Sequence, residues 1–119
     1  MANFEELVKE FPNQFYNGRT TCPSEYPPGW HQLIRNVLKR ADAARVPVKW
    51  AQIKEKFGGL RMYENLPENC DSSIHDWISE AERLSYRTCQ ECGNKGKPSI
   101  VNRWQATLCQ KCYDKRMAN

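Results

Sequence analysis

Cys89-Gln-Glu-Cys92 and Cys109-Gln-Lys-Cys112 are two Cys-x-x-Cys pairs separated by 16 residues. Two cysteines with two residues between them direct both sulfurs toward one ion, and two such pairs complete the tetrahedral shell that Zn²⁺ prefers. Four thiolates leave no open position for water or substrate, so a zinc ion at this site is expected to be structural. The spacing therefore predicts a four-cysteine zinc ribbon over residues 88–119.

Two other uses of these cysteines fit the rest of the sequence less well. A disulfide framework belongs to secreted chains, whereas the N-terminus carries Glu5 and Glu6 where a secretory signal carries positive charge. A thioredoxin-like redox pair follows a strand in a βαβ unit, and neither pair has that context. We expect a cytoplasmic protein in which Cys22 and Cys70 are free thiols or core residues, with metal ligation as a third alternative.

Ahead of the ribbon, three stretches have the three- and four-residue apolar spacing of amphipathic helices. The first follows Asn3, which together with Glu6 fits a capping box. The second runs from Trp30 to about residue 45, and its basic side is expected to be a solvated face. The third begins near Ser73, which fits a second capping box with Asp76. The apolar positions are Phe4, Leu7, Val8 and Phe11, then Trp30, Leu33, Ile34, Val37, Leu38 and Ala41, then Ile74, Trp77, Ile78, Ala81 and Leu84.

Between the second and third helices, residues 48–55 and 60–64 are predicted to form two strands joined by the turn Lys56-Phe57-Gly58-Gly59. Paired glycines tolerate the positive φ angles that tight hairpin turns require. Side chains alternate across a strand. The first strand would then place Ala51, Ile53, Glu55 and Phe57 on one face, and Trp50, Gln52, Lys54 and Lys56 on the other.

Together these elements predict an α+β fold with three amphipathic helices, a short β-hairpin and the C-terminal four-cysteine zinc ribbon. We expect residues 1–87 to form a body in the order helix, helix, hairpin, helix. Residues 88–119 would form the ribbon, packed on the body or appended to it. No apolar stretch approaches the length that spans a bilayer, so no membrane partner is expected.

The sequence offers little for catalysis. Its two histidines, His31 and His75, stand at predicted helix starts, where surface or capping roles are more common than proton transfer. Several zinc-bearing nucleases place a histidine beside their ribbon, and residues 87–119 contain none. No phosphate-binding glycine loop, nucleophile elbow or dinucleotide fingerprint is present. We therefore predict that the protein is not an enzyme.

Basic charge is concentrated in the ribbon. Residues 1–86 hold 11 Lys/Arg and 12 Asp/Glu, a net charge of −1, whereas residues 87–119 hold 7 and 2, a net charge of +5. A local positive charge favours nucleic acids or acidic protein surfaces as partners, although it also serves solubility.

Several short motifs between residues 29 and 112 resemble a group of small phage and prophage proteins. The stretch around Phe57-Gly58-Gly59 is distinctive. Members of the group often end the metal motif with histidine, whereas this chain has Cys112, a change of ligand that preserves a structural site. The resemblance implies a viral accessory role in a host cytoplasm without naming a target. The motifs are Gly29-Trp30 at a helix start, QIKEKFGGLRMY over residues 52–63, Ala81-Glu82, SYRTC over residues 85–89, Cys92-Gly93 and Thr107-Leu108-Cys109.

The first functional hypothesis is a module that binds a host protein or nucleoprotein complex, such as a component of host defence or transcription. Aromatic residues and arginine dominate the hot spots of protein interfaces. Trp50 and Trp104 are aromatic candidates, with a core position as the alternative for each. The predicted partner-binding residues are Lys54, Lys56, Arg61, Tyr63, Arg103, Trp104 and Lys111.

The alternative hypothesis is nucleic-acid binding by the ribbon. Trp104 or Tyr113 would stack on bases, and basic side chains would contact phosphates. No recognition-helix motif is evident, which favours backbone contact over sequence-specific readout. A protein that mimics nucleic acid would engage the same basic residues. The candidates for phosphate contact are Lys95, Lys97, Arg103, Lys111, Lys115 and Arg116.

Overall fold

The computed structural model describes residues 4–70 and 72–118. Within those residues the chain forms four α-helices: α1 (Phe4–Glu10), α2 (His31–Ala43), α3 (Ser73–Ser85) and α4 (Gln110–Met117). It also forms four strands: β1 (Lys49–Lys56), β2 (Gly59–Asn65), β3 (Lys97–Val101) and β4 (Trp104–Leu108). β1 pairs with β2 and β3 pairs with β4, each pair as a separate two-stranded antiparallel sheet. The predicted α+β class is confirmed.

The body is built around two amphipathic helices, one of which packs on the first hairpin. α2 buries Ile34, Val37, Leu38 and Ala41, the spacing of one helix face. α2 packs against α3, and α3 packs against β2. None of the described helices combines the length and apolarity needed to cross a membrane.

The helix starts differ in detail from the predicted caps. α1 begins at Phe4, so the predicted Asn3 cap lies outside the described residues. α3 has Ser72 at its N-cap position, and no cap hydrogen bond is made by that side chain. The Ser72 carbonyl accepts the N–H of His75 at 3.0 Å, which tightens the first turn. The cap therefore lies one residue before the predicted Ser73.

An extra residue in β1 changes which side chains face the core. The pairing register shifts between Trp50 and Gln52, so Ala51 forms a β-bulge. Because the bulge reverses the alternation, Trp50 and Ile53 are both fully buried. The predicted division of this strand into two alternating faces is therefore wrong at Trp50.

A two-residue turn, Phe57-Gly58, joins β1 to β2. Lys56 pairs with Gly59 across it, and φ is +54° at Phe57 and +83° at Gly58. Positive φ at both positions is what a type I′ turn requires, although it is uncommon for a bulky residue. The turn lies where the sequence predicted it, and Gly59 belongs to β2.

The ribbon has a much smaller core than the body. Val101, Ala106 and Leu108 are buried together with Cys89, and Tyr113 packs against them from α4. α4 contacts both β3 and β4. This fourth helix was not predicted from the sequence.

Hydrogen bonds fasten the ribbon to the body at several points. The Thr107 hydroxyl donates to the Gly58 carbonyl at 2.7 Å, and this contact is buried. The Trp30 indole N–H donates to the Thr88 carbonyl at 2.9 Å. Gly58 belongs to the first hairpin turn and Trp30 to the body core. The ribbon is therefore fastened to the hairpin turn and to the core of the body.

Two glycines allow the ribbon and the end of α3 to approach the body closely. A Cβ atom at Gly29 would lie 2.1 Å from the Cys89 carbonyl oxygen, and one at Gly59 would lie 2.2 Å from the Tyr86 hydroxyl oxygen. Only a residue without a Cβ atom fits either distance without movement of its neighbour. Both glycines belong to the short motifs named above: Gly29 lets the ribbon approach the body, and Gly59 lets the first hairpin approach the end of α3.

Candidate metal centre and exposed groove

The four cysteines of the two pairs come together in the ribbon. The sulfur atoms of Cys89, Cys92, Cys109 and Cys112 all lie within 4.8 Å of one another. Cys92 Sγ lies 3.8 Å from Cys109 Sγ, and sulfurs at the corners of a tetrahedral zinc site with bonds of about 2.3 Å are about 3.8 Å apart. All six cysteines of the chain are free of disulfides. The four-cysteine group could therefore hold a metal ion.

Regular elements on either side of the group position its sulfurs. The Cys89 carbonyl accepts the N–H of Gly93 at 3.0 Å, which closes the turn of the first pair. Cys109 directly follows β4 and is the N-cap of α4, where its sulfur accepts the N–H of Cys112 at 3.4 Å. The Cys109 sulfur thus accepts one of the backbone N–H groups that have no partner within the helix.

Hydrogen bonds and burial shift the pKa values of Cys89 and Cys112 in opposite directions. Burial raises the pKa of the Cys89 thiol, but backbone N–H groups of Cys109, Cys92 and Glu91 outweigh burial and lower the pKa to about 6. The pKa of Cys112 is raised to about 12, first by a hydrogen bond with the Cys109 side chain and then by burial. Adjacent thiolates repel one another, and a divalent cation between them offsets that repulsion. The donor set therefore fits a bound cation.

Neither histidine belongs to the metal group. His31 Nδ1 lies 2.9 Å from the Tyr26 hydroxyl oxygen, and its Nε2 lies 3.6 Å from the Glu6 carboxylate. Tyr26 is buried, and burial followed by the Glu6 charge raises the pKa of its hydroxyl above the ordinary value. His75 Nδ1 lies 3.5 Å from the Glu64 carboxylate. His31 thus supplies the hydrogen-bond partner of a buried hydroxyl, which is a structural contact.

The first hairpin turn and β4 border a groove with a volume of about 460 Å³. Trp104 is 78% exposed and Phe57 is 63% exposed. The Lys56 ammonium lies 5.4 Å from the centre of the Phe57 ring, and Arg116 forms an ion pair with Glu91. We name this surface the turn groove. It is lined by Glu55, Lys56, Phe57, Gln90, Trp104, Gln105, Ala106 and Arg116.

Two of the predicted partner-binding residues, Lys56 and Trp104, line the turn groove. Arg103 is exposed and lies in the turn between β3 and β4, directly before Trp104 in the chain. Lys111 is exposed on α4 but does not line the groove. The two tryptophans that were candidates for partner contact have opposite environments, because Trp50 is fully buried and Trp104 faces solvent.

Arg61, Lys54 and Tyr63 lie elsewhere on the first hairpin. The Arg61 guanidinium lies 3.1 Å from the Glu82 carboxylate and 3.2 Å from the Tyr86 hydroxyl oxygen. These contacts tie β2 to α3 and leave Arg61 half-buried. Lys54 is half-buried and Tyr63 is exposed, and neither lines the turn groove.

Two exposed apolar residues, Phe57 and Ile100, were not among the predicted partner-binding residues. The sequence held a signal for Phe57, because a two-residue hairpin turn points its side chains away from the strands. Ile100 is 66% exposed, and a β-branched residue in a short strand is more typical of a core position. The remaining cysteines stand apart from the metal group: Cys22 is exposed, and Cys70 is half-buried against the body core.

Comparison with known proteins returns no match for this chain among protein-family models, curated proteins or solved structures. The structure offers two features that could carry a function: a group of four sulfur donors, and a solvent-facing groove lined by aromatic and basic side chains. A functional assignment therefore rests on these two features.

Proposed function

We propose that the protein is a small, non-enzymatic zinc-binding protein that binds a host protein through the turn groove. The observation that carries this proposal is the joint exposure of Trp104 and Phe57 beside Lys56 in one groove. Apolar groups exposed together leave area in water that a partner can cover. Aromatic side chains also dominate interface hot spots, so Trp104 is the expected energetic centre of the contact.

Zinc is the metal that the donor set favours. Four thiolates in a tetrahedral arrangement are typical of structural zinc sites and of iron–sulfur sites. Two Cys-x-x-Cys pairs around a short hairpin match the zinc ribbon pattern. Elemental analysis of the purified protein is expected to give one zinc per chain. Iron in its place, with visible absorption from the thiolate ligands, would contradict zinc.

The proposed cellular setting is the cytoplasm of a host cell, and two features support it. Six free cysteines are consistent with a reducing compartment. The motifs similar to those of small phage and prophage proteins support an accessory role in the host cytoplasm. The target would then be a host protein or nucleoprotein complex, and a component of host defence or transcription is the class that such an accessory protein would engage.

The test is capture of partners from host lysate with the zinc-loaded, tagged protein after nuclease treatment. Trp104→Ala is expected to lower the captured amount by about tenfold or more, because truncation of a hot-spot residue costs about 2 kcal/mol or more. Tyr16→Ala is the matched control: Tyr16 is an exposed aromatic residue that contacts Asn65, at the opposite end of the first hairpin from Phe57. A partner retained equally by Trp104→Ala would contradict the turn groove as its site.

Nucleic-acid binding by the ribbon is the second candidate, and the net charge of +5 over residues 87–119 favours it. Lys95, Lys97 and Lys111 are exposed, whereas Arg116 is paired with Glu91. Affinity for single-stranded nucleic acid would fall steeply with salt if these side chains released counterions from phosphates. Loss of all captured material on nuclease treatment would favour this candidate over a host protein.

A further inference from the structure

The outer edge of β3 is an open strand edge. Val101 pairs with Trp104 across the two-residue turn Asn102-Arg103, where φ is +51° and +71°. The pair that flanks such a turn is a hydrogen-bonded pair, and hydrogen-bonded pairs alternate with non-hydrogen-bonded ones along the ladder. Pro98 and Ile100 are therefore the β3 residues whose backbone groups point away from β4. Pro98 has no N–H to offer, so the free donor at this edge is that of Ile100.

Positions on two other strand edges are covered by hydrogen bonds. On β4, the Thr107 N–H donates to Gln90 Oε1 at 2.6 Å, and the Thr107 carbonyl accepts from the Gln90 N–H at 2.9 Å. On β1, the Ala51 carbonyl accepts the N–H of Cys22 at 2.8 Å. Beyond the β3–β4 ladder, by contrast, no backbone partner of Ile100 is present in the described part of the chain. The edge of β3 thus offers unpaired backbone groups at Ile100, whereas those of Thr107 on β4 and the carbonyl of Ala51 on β1 already have partners.

Two pockets flank this edge on opposite faces of the second hairpin. Cross-strand partners share a face, so Pro98, Ile100, Gln105 and Thr107 lie on one face and Lys97, Ser99, Ala106 and Leu108 on the other. The pocket on the first face has a volume of about 360 Å³ and includes Phe57, Tyr86 and Pro98. The pocket on the second face has a volume of about 280 Å³ and includes Lys97, Leu108 and Tyr113. Ser99 and Ile100 border both pockets.

The charge around the edge is positive. Lys97 lines the second pocket, and no Asp or Glu lines either pocket. Residues 87–119 together carry a net charge of +5. An occupant with acidic side chains would therefore be complementary to this edge, whereas a second copy of the chain would bring another ribbon of the same charge against it.

We propose that the edge of β3 receives an extended, acidic segment of the partner protein as an added β-strand. The segment would pair with the free backbone groups of Ile100, and its alternate side chains would enter the two pockets on the opposite faces of the hairpin. Backbone pairing would supply affinity and the pockets would supply selectivity. This inference rests on the proposed host-protein binding and names the chemistry of the segment that is bound.

The test compares two substitutions of Ile100 in the zinc-loaded full chain. Ile100→Pro removes the outward N–H without removing a β3–β4 hydrogen bond, and Pro98 already occupies an outward-pointing position of the same strand. Ile100→Val is the matched control because it keeps the N–H and the β-branched side chain. Bound zinc and the amide NMR spectrum establish that each variant is folded. A second measurement, on the peptide, uses backbone N-methylation and needs no variant of the protein.

The probe is a random library of short peptides selected on the wild-type chain. Selected peptides are expected to be rich in Asp and Glu, to bind Ile100→Val within about twofold of wild type, and to bind Ile100→Pro about tenfold more weakly, as expected for a lost and unsatisfied hydrogen bond. N-methylation at alternate positions on one edge of the peptide is expected to abolish binding, and on the other edge to leave it unchanged. A library without binders, or peptides that bind Ile100→Pro as tightly as wild type, would overturn the inference.

Capture from host lysate with the same variants separates this inference from the proposed function. A partner lost with Trp104→Ala but retained with Ile100→Pro keeps the proposed function and overturns strand addition. A partner lost with Ile100→Pro and retained with Ile100→Val supports strand addition. A partner retained by all three variants overturns both. Sedimentation could instead show that the wild-type chain is a dimer and that Ile100→Pro dissociates it. That result would assign the β3 edge to a second copy of the chain and overturn binding of a partner segment there.

Discussion

The body and the ribbon obtain their stability from different sources. The body buries Trp30, Trp50 and Tyr26 among aliphatic side chains of α1, α2, α3 and the first hairpin. The ribbon buries Val101, Ala106 and Leu108 beside the cysteines. Apolar burial contributes about 25 cal/mol per Å², which is ample for the body but small for a cluster of three modest side chains. We therefore expect the ribbon to depend on a bound metal ion for its stability, whereas the body depends on packing.

Metal removal is expected to have the largest effect and to act on one region only. Apparent zinc-binding energies of such sites are on the order of 10 kcal/mol, so a chelator should unfold the ribbon. In a ¹⁵N NMR spectrum, amide peaks of residues 88–118 should lose dispersion while peaks of the body remain. Cys112→Ser should behave in the same way, and Cys22→Ser, which lies outside the metal group, should not. Dispersed amide peaks from the ribbon in the absence of metal would show that the ribbon folds without a metal ion.

Trp50 and Trp104 give the next largest contrast. Trp50 is fully buried and its indole N–H donates to Gln14 at 2.9 Å, whereas Trp104 is exposed. Trp50→Ala should lower the free energy of unfolding by about 3–5 kcal/mol, and Trp104→Ala should change it by about 0.5 kcal/mol or less. Urea denaturation of the zinc-loaded protein measures both. Equal losses from the two substitutions would show that Trp104 is part of a core.

The junction between the two regions can be tested at Gly29. Gly29→Ala places a methyl group against the Cys89 carbonyl, and forced overpacking of this kind costs about 1–3 kcal/mol. The substitution should lower the denaturation midpoint of the zinc-loaded protein. It should also weaken the protection from hydrogen exchange of the Trp30 indole N–H, which bonds Thr88. Unchanged stability would mean that the ribbon can move away from the body at no cost.

Arg61→Gln is expected to have the smallest effect. Its ion pair with Glu82 is partly exposed, and exposed pairs of this type contribute about 0–1 kcal/mol. Urea denaturation should therefore show a loss of about 1 kcal/mol at most, and capture of the partner should be unchanged because Arg61 lies outside the turn groove. Loss of the partner with normal stability would instead place the Arg61 region in the interface.

Some features of the site could be predicted from the sequence because they depend on local spacing. The two Cys-x-x-Cys pairs predicted the four-sulfur cluster, since two residues between cysteines set the geometry of each pair. The turn predicted over Lys56-Phe57-Gly58-Gly59 contains the observed turn, but positive φ occurs at Phe57 and Gly58 rather than at the two glycines. α4 was missed because its N-terminus is capped by the sulfur of Cys109 rather than by one of the usual oxygen side chains.

The α+β class, the amphipathic helices and the cluster of four cysteines could be predicted from the sequence, because helical periodicity, turn chemistry and ligand spacing act over a few neighbouring residues. Tertiary structure alone decided that Trp50 is buried while Trp104 is exposed, and that the edge of β3 is open. The bulge at Ala51 depends on pairing with a second strand, and exposure depends on what the rest of the chain places nearby. Such properties arise between residues distant in sequence, so no local pattern of residues reports them.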